Sequence, residues 1–263
     1  SNLTSIAERE VLAIGEILST SLFQLHLEEQ SVPSALIPAL NFMRVDKDGE
    51  PDYYYIAESL DRLLDSCSGF NIIITQGYIC RNAKGEVDNL KRGGSDFSAA
   101  IIGNAINADE VQIWTDIDGF HNNDPRHVQG TIPIRELSFD EAAELAYFGA
   151  KILHPSTIHP CREKNIPVIL KNTLNPTDIG TAITSRQSDG DIKAIAAKDG
   201  ITAIRIKSLR MLMAHGFLKK VFEVFDEYKT PVDLITTSEV AVTITIDDTS
   251  NLDKITKVLS AFS

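Results

Sequence analysis

Short apolar runs that alternate with helix-like segments constrain this fold more than any other feature of the chain. Three such runs predict buried strands: NIIITQG (71–77), VQIWTD (111–116) and IPVILKNT (166–173). Helical periodicity without internal Pro marks four segments, at 6–28, 52–67, 96–109 and 139–150. Strands that alternate with helices predict an α/β domain with a mostly parallel sheet that is covered on both faces.

Two local features refine this prediction. Ser138 and Glu141 have the spacing of a capping box, which predicts that a helix begins at residue 139. Residues 31–51 mix Pro, Gly and charged side chains, and they predict an irregular segment.

The pattern changes near residue 185, where SRQSDGD forms a polar linker. Beyond it the periodicities predict a strand, a helix, two strands and a helix, at 201–208, 216–229, 232–239, 240–248 and 252–262. This order lacks only a last strand to complete a ferredoxin-like βαββαβ unit. We therefore expect two domains, 1–189 and 190–263, of which the second is incomplete.

The charge and the cysteines limit the class of protein. Lys and Arg number 25 and Asp and Glu 37, a formal net charge of −12 that disfavours binding to nucleic acid. No apolar run is long enough for a membrane span. Cys67, Cys80 and Cys161 are widely spaced and form no CxxC pair, which is typical of a reduced, cytoplasmic protein without a zinc site.

The stretch KRGGSD (91–96) has the composition of an anion site. Glycines before a helix let the backbone approach a ligand, and a helix that begins at Ser95–Asp96 presents N–H groups and a positive dipole end. Arg92 adds a planar fork that can hold a carboxylate, in which case the glycines would make room for the substrate. The alternative, favoured for this stretch alone, is a plain helix start with Ser or Asp as its N-cap.

A second polar stretch, WTDIDGFHNNDPR (114–126), follows a predicted strand, where ligands of α/β proteins usually bind. Asp116, Asp118 and Asp124 could hold Mg²⁺ or its waters or accept hydrogen bonds from a ribose, and Arg126 could reach a phosphate. The alternative is an acidic surface loop with Asn-Asp-Pro turn chemistry.

Two further charged residues lie among apolar neighbours. Lys151 in FGAKILHPS either satisfies the last carbonyls of a helix or binds a phosphate in a cleft. Glu16 in AIGEILSTSLF is expected to face solvent, unless a cation such as a substrate ammonium is its partner.

Taken together and in order, these motifs carry a resemblance. Residues 12–183 resemble the kinase domain of the aspartokinases, in the amino acid kinase family, through GEILST, ITQGYI, RGGSD, WTDIDGF, NDPR, EAAELAYFGAKILHP and IPV. The segments SLRMLMAHGFLKKVFEVF and VDLITTSEVAVTI resemble the first ACT domain of the lysine-sensitive, single-function aspartokinases. The implied fold is a three-layer α/β/α amino acid kinase domain followed by a partial, ferredoxin-like ACT domain.

The resemblance implies a reaction, aspartate kinase: transfer of the γ-phosphoryl group of ATP to the side-chain carboxylate of L-aspartate, with Mg²⁺. No general base is required, because that carboxylate is ionised at neutral pH. The family's Lys-Phe-Gly-Gly motif is missing here, so we expect a fragment of a longer protein. Lys91 also replaces a glycine that the family has before its arginine.

The resemblance also implies roles for individual residues. Asp96 and Arg92 would be catalytic, and the substrate would contact Glu16, Arg92 and Ser95. ATP would contact Thr115, Asp116, His121, Asp124, Arg126, Lys151 and Ile152, and no side chain would bind the metal directly. His121 stands where relatives often have tyrosine.

For the second domain, the resemblance implies an effector site for L-lysine between two chains, and hence a homodimer. The implied effector contacts are Met211, Gly216, Phe217, Leu218, Asp233, Thr237, Ser238 and Glu239. Asp233 or Glu239 would bind the ammonium, whereas Phe217 and Leu218 could instead be plain core residues. The competing functions are a non-catalytic, effector-binding fragment of an aspartokinase and another kinase of the same family.

Overall fold

The computed structural model describes residues 4–91, 93–148, 153–186, 192–208 and 215–261. The chain forms two compact units, Ser1–Ala196 and Ala197–Ser263. Residues 193–195 belong with the first unit, because Lys193 Nζ lies 2.7 Å from Glu141 Oε2 and Ile195 N–H donates to the carbonyl of Asn122 at 2.9 Å. Within the described ranges, no helix has the length and hydrophobicity needed to cross a membrane.

The four longer helices of the first unit lie where the periodicity predicts them. They are α1 (Ser5–Glu29), α2 (Tyr53–Ser66), α3 (Gly94–Ile106) and α4 (Phe139–Phe148). A short fifth helix, α5 (His159–Glu163), was not predicted. The capping box before α4 is confirmed: Ser138 N–H donates to Glu141 Oε2 at 2.7 Å, and Glu141 N–H donates to Ser138 Oγ at 3.2 Å.

The strands of the first unit are short. They are β1 (Ser34–Leu36), β2 (Ile72–Ile74), β3 (Ile79–Arg81), β4 (Val87–Asn89), β5 (Val111–Thr115), β6 (Glu136–Ser138), β7 (Val168–Asn172) and β8 (Thr181–Thr184). The largest sheet has the order β5-β7-β8-β6, in which only the β7–β8 pair is antiparallel. β1 and β2 pair in parallel, and β3 and β4 form an antiparallel hairpin.

The structure corrects three predictions about the strands. β2 is not buried throughout, because Ile72 is 40% exposed. The segment 31–51 is not wholly irregular, because β1 lies in it and pairs with Ile72–Ile74. β5 is not buried on both faces: Val111 and Ile113 are buried, whereas Gln112 and Trp114 on the opposite face are exposed.

Helix α3 joins two hydrophobic cores, because successive residues point to different sides. Ala100 packs in the core around β5 and β7, with Val168 and Leu170. Ile101 packs in the core that includes Phe42 and Ile56. The position of α3 is therefore fixed from both sides, and so is its first turn, which carries Ser95 and Asp96.

The second unit has the predicted order of elements. These are β9 (Thr202–Lys207), α6 (Phe217–Glu227), β10 (Leu234–Thr237), β11 (Ala241–Ile246) and α7 (Leu252–Ser260). The antiparallel sheet has the order β10-β11-β9, as in the first three strands of a ferredoxin-like unit. Its core includes buried side chains of both helices, such as Val221 and Ile255.

Candidate active site

The candidate active site is built around the first turn of α3. The helix begins at Gly94, and its N-cap is Gly93, which has a left-handed φ of +70° and makes no side-chain capping bond. The prediction that Ser95 or Asp96 caps the helix is therefore wrong, because both lie inside its first turn. Because they are in the first turn, both residues lie next to the positive end of the helix dipole. Ser95 is exposed and Asp96 is partly buried.

The glycines before α3 make room for the protein itself. A Cβ on Gly93 would lie 3.0 Å from His154 Cβ and 3.0 Å from Thr157 Cγ2, and one on Gly94 would lie 2.6 Å from Tyr78 Cδ2. This corrects the prediction that the glycines make room for a substrate. The close approach instead seats the start of α3 against neighbouring side chains.

Asp96 is a partly buried carboxylate in the first turn of α3. Burial raises the pKa of Asp96 because desolvation disfavours the charged form. A carboxylate with a raised pKa at a helix N-terminus is typical of a functional site rather than of a surface ion pair.

Glu16 lies on α1 and is partly buried rather than fully exposed to solvent. Its backbone carbonyl accepts a hydrogen bond from Thr20 Oγ1 at 2.9 Å. α1 is also held to β4 by an ion pair of 2.6 Å between Arg9 and Asp88. Arg92, the third predicted substrate contact, lies outside the described residues.

A cavity of about 410 Å³ opens beside this helix start. Leu90, Lys91 and Phe97, which flank the RGGSD stretch, line it together with residues of the 45–49 loop and of the β3–β4 turn. Sequence reasoning missed this hairpin, although Asn82 and Gly85 at its turn are typical turn residues.

The second cluster of predicted residues follows β5. Thr115 Oγ1 donates to Asp116 Oδ1 at 3.1 Å, and the carbonyl of Thr115 accepts from Thr173 N–H at 2.8 Å. Asp116 is exposed at the carboxyl end of the strand. The structure thus places both residues at the sheet edge where α/β proteins bind ligands.

Asp124 and Arg126 bind each other. Arg126 Nε donates to Oδ1 and Oδ2 of Asp124 at 3.0 and 3.1 Å, and its terminal nitrogen donates to Oδ2 at 2.6 Å. This pairing lowers the pKa of Asp124 to about 2, because the guanidinium stabilises the ionised carboxylate. The two residues therefore present a nearly neutral pair to any ligand.

His121 is held by two side chains. Its Nε2 lies 2.8 Å from Asp118 Oδ1, and its Nδ1 lies 2.8 Å from Thr131 Oγ1. Both ring nitrogens thus contact side chains of the same loop, and these two contacts hold the imidazole ring in one orientation. Lys151 and Ile152 lie outside the described residues.

Thr181 is a site-supporting residue that sequence reasoning missed. It is fully buried on β8, accepts from Phe120 N–H at 2.9 Å and donates to the carbonyl of Ile134 at 2.6 Å. Gly119, with φ of +113°, has no room for a Cβ because Thr181 Oγ1 would lie 2.4 Å from it. The Asp-Gly-Phe triplet was a signal for a tight backbone approach, but nothing local pointed to residue 181.

In the second unit, the predicted effector residues cluster around two element ends. Gly216 is the left-handed N-cap of α6, with φ of +80°. Phe217 is buried in the core, as expected if it is a plain core residue. Leu218 is 40% exposed and is not a core residue. Met211 lies outside the described residues.

The polar members of this set lie along β10. The Asp233 side chain is 4% exposed, and its Oδ1 lies 3.7 Å from Lys198 Nζ, which also lies 2.8 Å from Asp247 Oδ2. Thr237, Ser238 and Glu239 are exposed at the turn into β11. Ser238 N–H donates to the carbonyl of Ala241 at 2.8 Å and closes that turn.

The sequence model of the amino acid kinase family matches residues 2–172 of the chain. The chain belongs to the amino acid kinase family. Its aligned region contains the α3 start and the loop after β5. In the part of the chain that the structure describes, no group of three His, Cys, Asp or Glu side chains could hold a metal ion.

Relatives of this amino acid kinase family member are aspartokinases. The chain is 38% identical to lysine-sensitive aspartokinase 3 of Escherichia coli over 265 residues, which cover 95% of this chain and 59% of that protein. The solved structure of E. coli aspartokinase III with aspartate and ADP (R-state) matches 98% of this chain and 61% of that one, with a TM-score of 0.85 at 36% identity.

A second solved structure, E. coli aspartokinase III with lysine and aspartate (T-state), matches 98% of this chain and 60% of that one, with a TM-score of 0.79 at 36% identity. The chain therefore spans about 60% of the length of the E. coli relative.

Proposed function

We propose that this chain is the part of an aspartate kinase that holds the phosphoryl-transfer site and an effector-binding segment. The observation that carries the proposal is the match across nearly the whole chain to a protein whose solved structure holds aspartate and ADP. The reaction is transfer of the γ-phosphoryl group of ATP to the side-chain carboxylate of L-aspartate, which gives 4-phospho-L-aspartate and ADP.

In this proposal, Arg92 binds the α-carboxylate of aspartate and Glu16 binds its ammonium. Ser95, in the first turn of α3, donates a hydrogen bond to a carboxylate oxygen of aspartate. The partial burial of Glu16 supports this role, because a carboxylate held away from water gains more from a cationic partner. These contacts fix the side-chain carboxylate of aspartate as the nucleophile.

Asp96 organises the transfer centre. Phosphoryl transfer asks a protein mainly for alignment and for neutralisation of charge. In this proposal Mg²⁺ arrives with the nucleotide and keeps waters and phosphate oxygens as its ligands, as Mg²⁺ usually does. Asp96 would face the ion through water, and the ion would neutralise phosphate charge there.

The nucleotide lies against the loop after β5. Thr115 and Asp116 offer hydrogen-bond acceptors at the strand end, and His121 forms a fixed wall. The Asp124–Arg126 pair opens when a phosphate competes for the guanidinium, while Lys151 and Ile152 complete the contacts. The prior pairing supports a docking role, because it holds the guanidinium in place before a phosphate arrives.

L-lysine is the proposed effector of the second unit, which pairs with another copy of the chain to form a homodimer. Asp233 and Glu239 are the two carboxylates that could take its side-chain ammonium, and Gly216 exposes backbone N–H groups for its carboxylate. Lys198 already faces Asp233 at 3.7 Å. Comparison of Asp233→Asn and Glu239→Gln by lysine calorimetry tells which carboxylate binds.

A substrate panel tests the proposed activity. ADP release from Mg²⁺-ATP is measured with L-aspartate, L-glutamate, a nucleoside monophosphate or no acceptor, each with and without L-lysine. Of these acceptors, we expect only L-aspartate to support ADP release, and we expect L-lysine to suppress that release. Release with another acceptor would identify a different kinase of the family, and lysine binding without any turnover would identify a regulatory fragment.

A further inference from the structure

Gln76, two residues after β2, is a buried glutamine whose side-chain amide joins two distant parts of the chain. It is 3% exposed. Its Nε2 donates to Thr20 Oγ1 of α1 at 2.8 Å, and its Oε1 accepts from Ala39 N–H at 2.7 Å. Both ends of the amide are thus bonded. Neither bond is local, because Thr20 lies 56 residues and Ala39 lies 37 residues from Gln76 in the chain.

The bridge continues to Glu16. Thr20 Oγ1 donates to the carbonyl of Glu16 at 2.9 Å, so its lone pair is free to accept the proton of Gln76. The hydroxyl therefore lies between the amide and the backbone that carries the Glu16 side chain. Because hydrogen bonds are directional, a rotation of α1 about its axis would weaken the bond to Gln76.

The backbone beside Gln76 is fixed to α3. A Cβ on Gly77 would lie 2.9 Å from Ser95 Cα, so the two backbones are in close contact. Tyr78 N–H donates to Ser98 Oγ at 2.9 Å, and Ser98 Oγ donates to the carbonyl of Gly94 at 2.8 Å. A single chain segment, 76–78, thus contacts α1 on one side and the first turns of α3 on the other.

Stability alone does not call for the bond between Gln76 and Thr20. Apolar side chains of the same shape at both positions would avoid the desolvation of the Gln76 NH₂ group and the Thr20 hydroxyl. The buried N–H of Ala39 would then lose its acceptor, so only the bond to Gln76 Oε1 has a clear role in stability. Glutamine is suited to the site because it offers a donor and an acceptor at the end of a two-methylene stem. A buried bridge with both ends of the amide bonded sets geometry more than it adds free energy.

From these contacts we infer that Gln76 and Thr20 are positioning residues, which hold Glu16 at a set distance from Ser95 and Asp96. The inference rests on the proposed function, because it assigns to this bridge the spacing between the ammonium site and the phosphoryl-transfer site for aspartate. It acts on the amino-acid substrate and leaves the nucleotide loop unchanged.

The test compares Thr20→Val, which removes the hydroxyl with little change of shape, with Thr20→Ser, which keeps it. Gln76→Met removes the same bond from the other side, but it also leaves the buried Ala39 N–H without its acceptor, so it should melt earlier than Thr20→Val. Asn104→Leu is the matched control: it removes another buried amide bond, from Asn104 Nδ2 to the carbonyl of Pro160 at 2.7 Å, near the other end of α3. For each variant we measure the melting temperature, the KM of aspartate, the KM of ATP and the Kd of aspartate by calorimetry.

We expect the KM and Kd of aspartate to rise roughly tenfold or more in Thr20→Val and Gln76→Met, because small misplacements of substrate contacts are costly. The KM of ATP should stay within about twofold of its parent value, and Thr20→Ser should restore aspartate binding. Asn104→Leu should lower the melting temperature without moving the KM of aspartate.

Two results would overturn the inference: one contradicts only the positioning role, and the other contradicts the proposed function as well. If Thr20→Val and Gln76→Met melt earlier yet bind aspartate as tightly as the parent chain, the bridge is structural only. If the parent chain neither binds aspartate nor turns it over, the proposed function itself fails and the positioning role fails with it.

Discussion

The hydroxyl of Thr181 accepts a hydrogen bond from the buried backbone N–H of Phe120 at 2.9 Å. The same hydroxyl donates to the carbonyl of Ile134, so one oxygen satisfies two backbone groups. Thr181→Val keeps the shape and leaves Phe120 N–H without a partner, which should lower the free energy of unfolding by about 1–3 kcal/mol.

Urea unfolding measures this effect, with the single tryptophan, Trp114 on β5, as the fluorescent probe. Thr181→Ser is the control, because it keeps the hydroxyl and should cost less than the valine variant. Equal stability of the valine variant and the parent chain would show that Phe120 N–H finds another partner.

Lys91 has a left-handed φ of +60°, a conformation that costs a residue with a Cβ about 1–2 kcal/mol. Lys91→Gly relieves this strain, although the freer unfolded chain offsets about 0.4–1 kcal/mol of the gain. We expect a net stabilisation of about 0.5 kcal/mol, seen as a higher urea midpoint. Lys91→Ala removes the same charge and keeps the strain, so a midpoint of Lys91→Gly no higher than that of Lys91→Ala would contradict the argument.

Asp96 should oppose stability at neutral pH. Because burial raises its pKa in the folded state, the folded protein binds this proton more tightly than the unfolded chain, and stability falls as the pH rises through the raised pKa. Asp96→Asn should therefore melt at a higher temperature than the parent at pH 7. The difference should vanish near pH 4, below which an unfolded aspartate is also protonated.

Asp96→Asn should also lose aspartate-dependent turnover by roughly a hundredfold or more, as expected for loss of a group that acts on transition-state charge.

Asp140→Asn is the control for the melting temperature. Asp140 is an exposed first-turn aspartate of α4 that pairs with Arg162 at 2.7 Å, and its replacement should bring no gain in melting temperature. If Asp96→Asn melts at a lower temperature than the parent at pH 7, the ionised Asp96 side chain does not destabilise the folded protein and the prediction is wrong.

The cysteines should react with thiol reagents at very different rates. Cys80 and Cys161 are fully buried, and burial raises their pKa values to about 12 and about 11, so both stay protonated and shielded. Cys67 is partly exposed. At pH 8 an aromatic disulfide reagent should label one thiol rapidly, and Cys67→Ser should remove that phase. Rapid labelling of a second thiol in the folded protein would contradict the packing.

The sequence allowed the helices and the second unit to be predicted because their signals repeat over many residues. α6 and α7 carry strong apolar periodicity, and the Ser138–Glu141 capping box is local. The three-residue strands β1, β3, β4 and β6 are too short to show a period. β1 and β6 form because distant residues pair with them, whereas β3 and β4 pair with each other across a short turn.

The candidate site was predictable in its residue types but not in its contacts. Nothing local to Gly93 indicates that His154 and Thr157 fill the space beside it. Nothing local to Gln76 indicates a partner at Thr20. The Asp124–Arg126 pair is the exception, because two residues of opposite charge at this separation in a turn can meet without help from the fold.

Trapping of the product with hydroxylamine tests the central claim most directly. An acyl phosphate formed from aspartate and Mg²⁺-ATP reacts with hydroxylamine to give a coloured hydroxamate complex with iron, and ADP is measured in the same sample. The parent chain should give one hydroxamate for each ADP, and Asp96→Asn should give about a hundredth or less of either product. Release of ADP without hydroxamate, or no product at saturating aspartate and ATP, would contradict the assignment of this chain as an aspartate kinase.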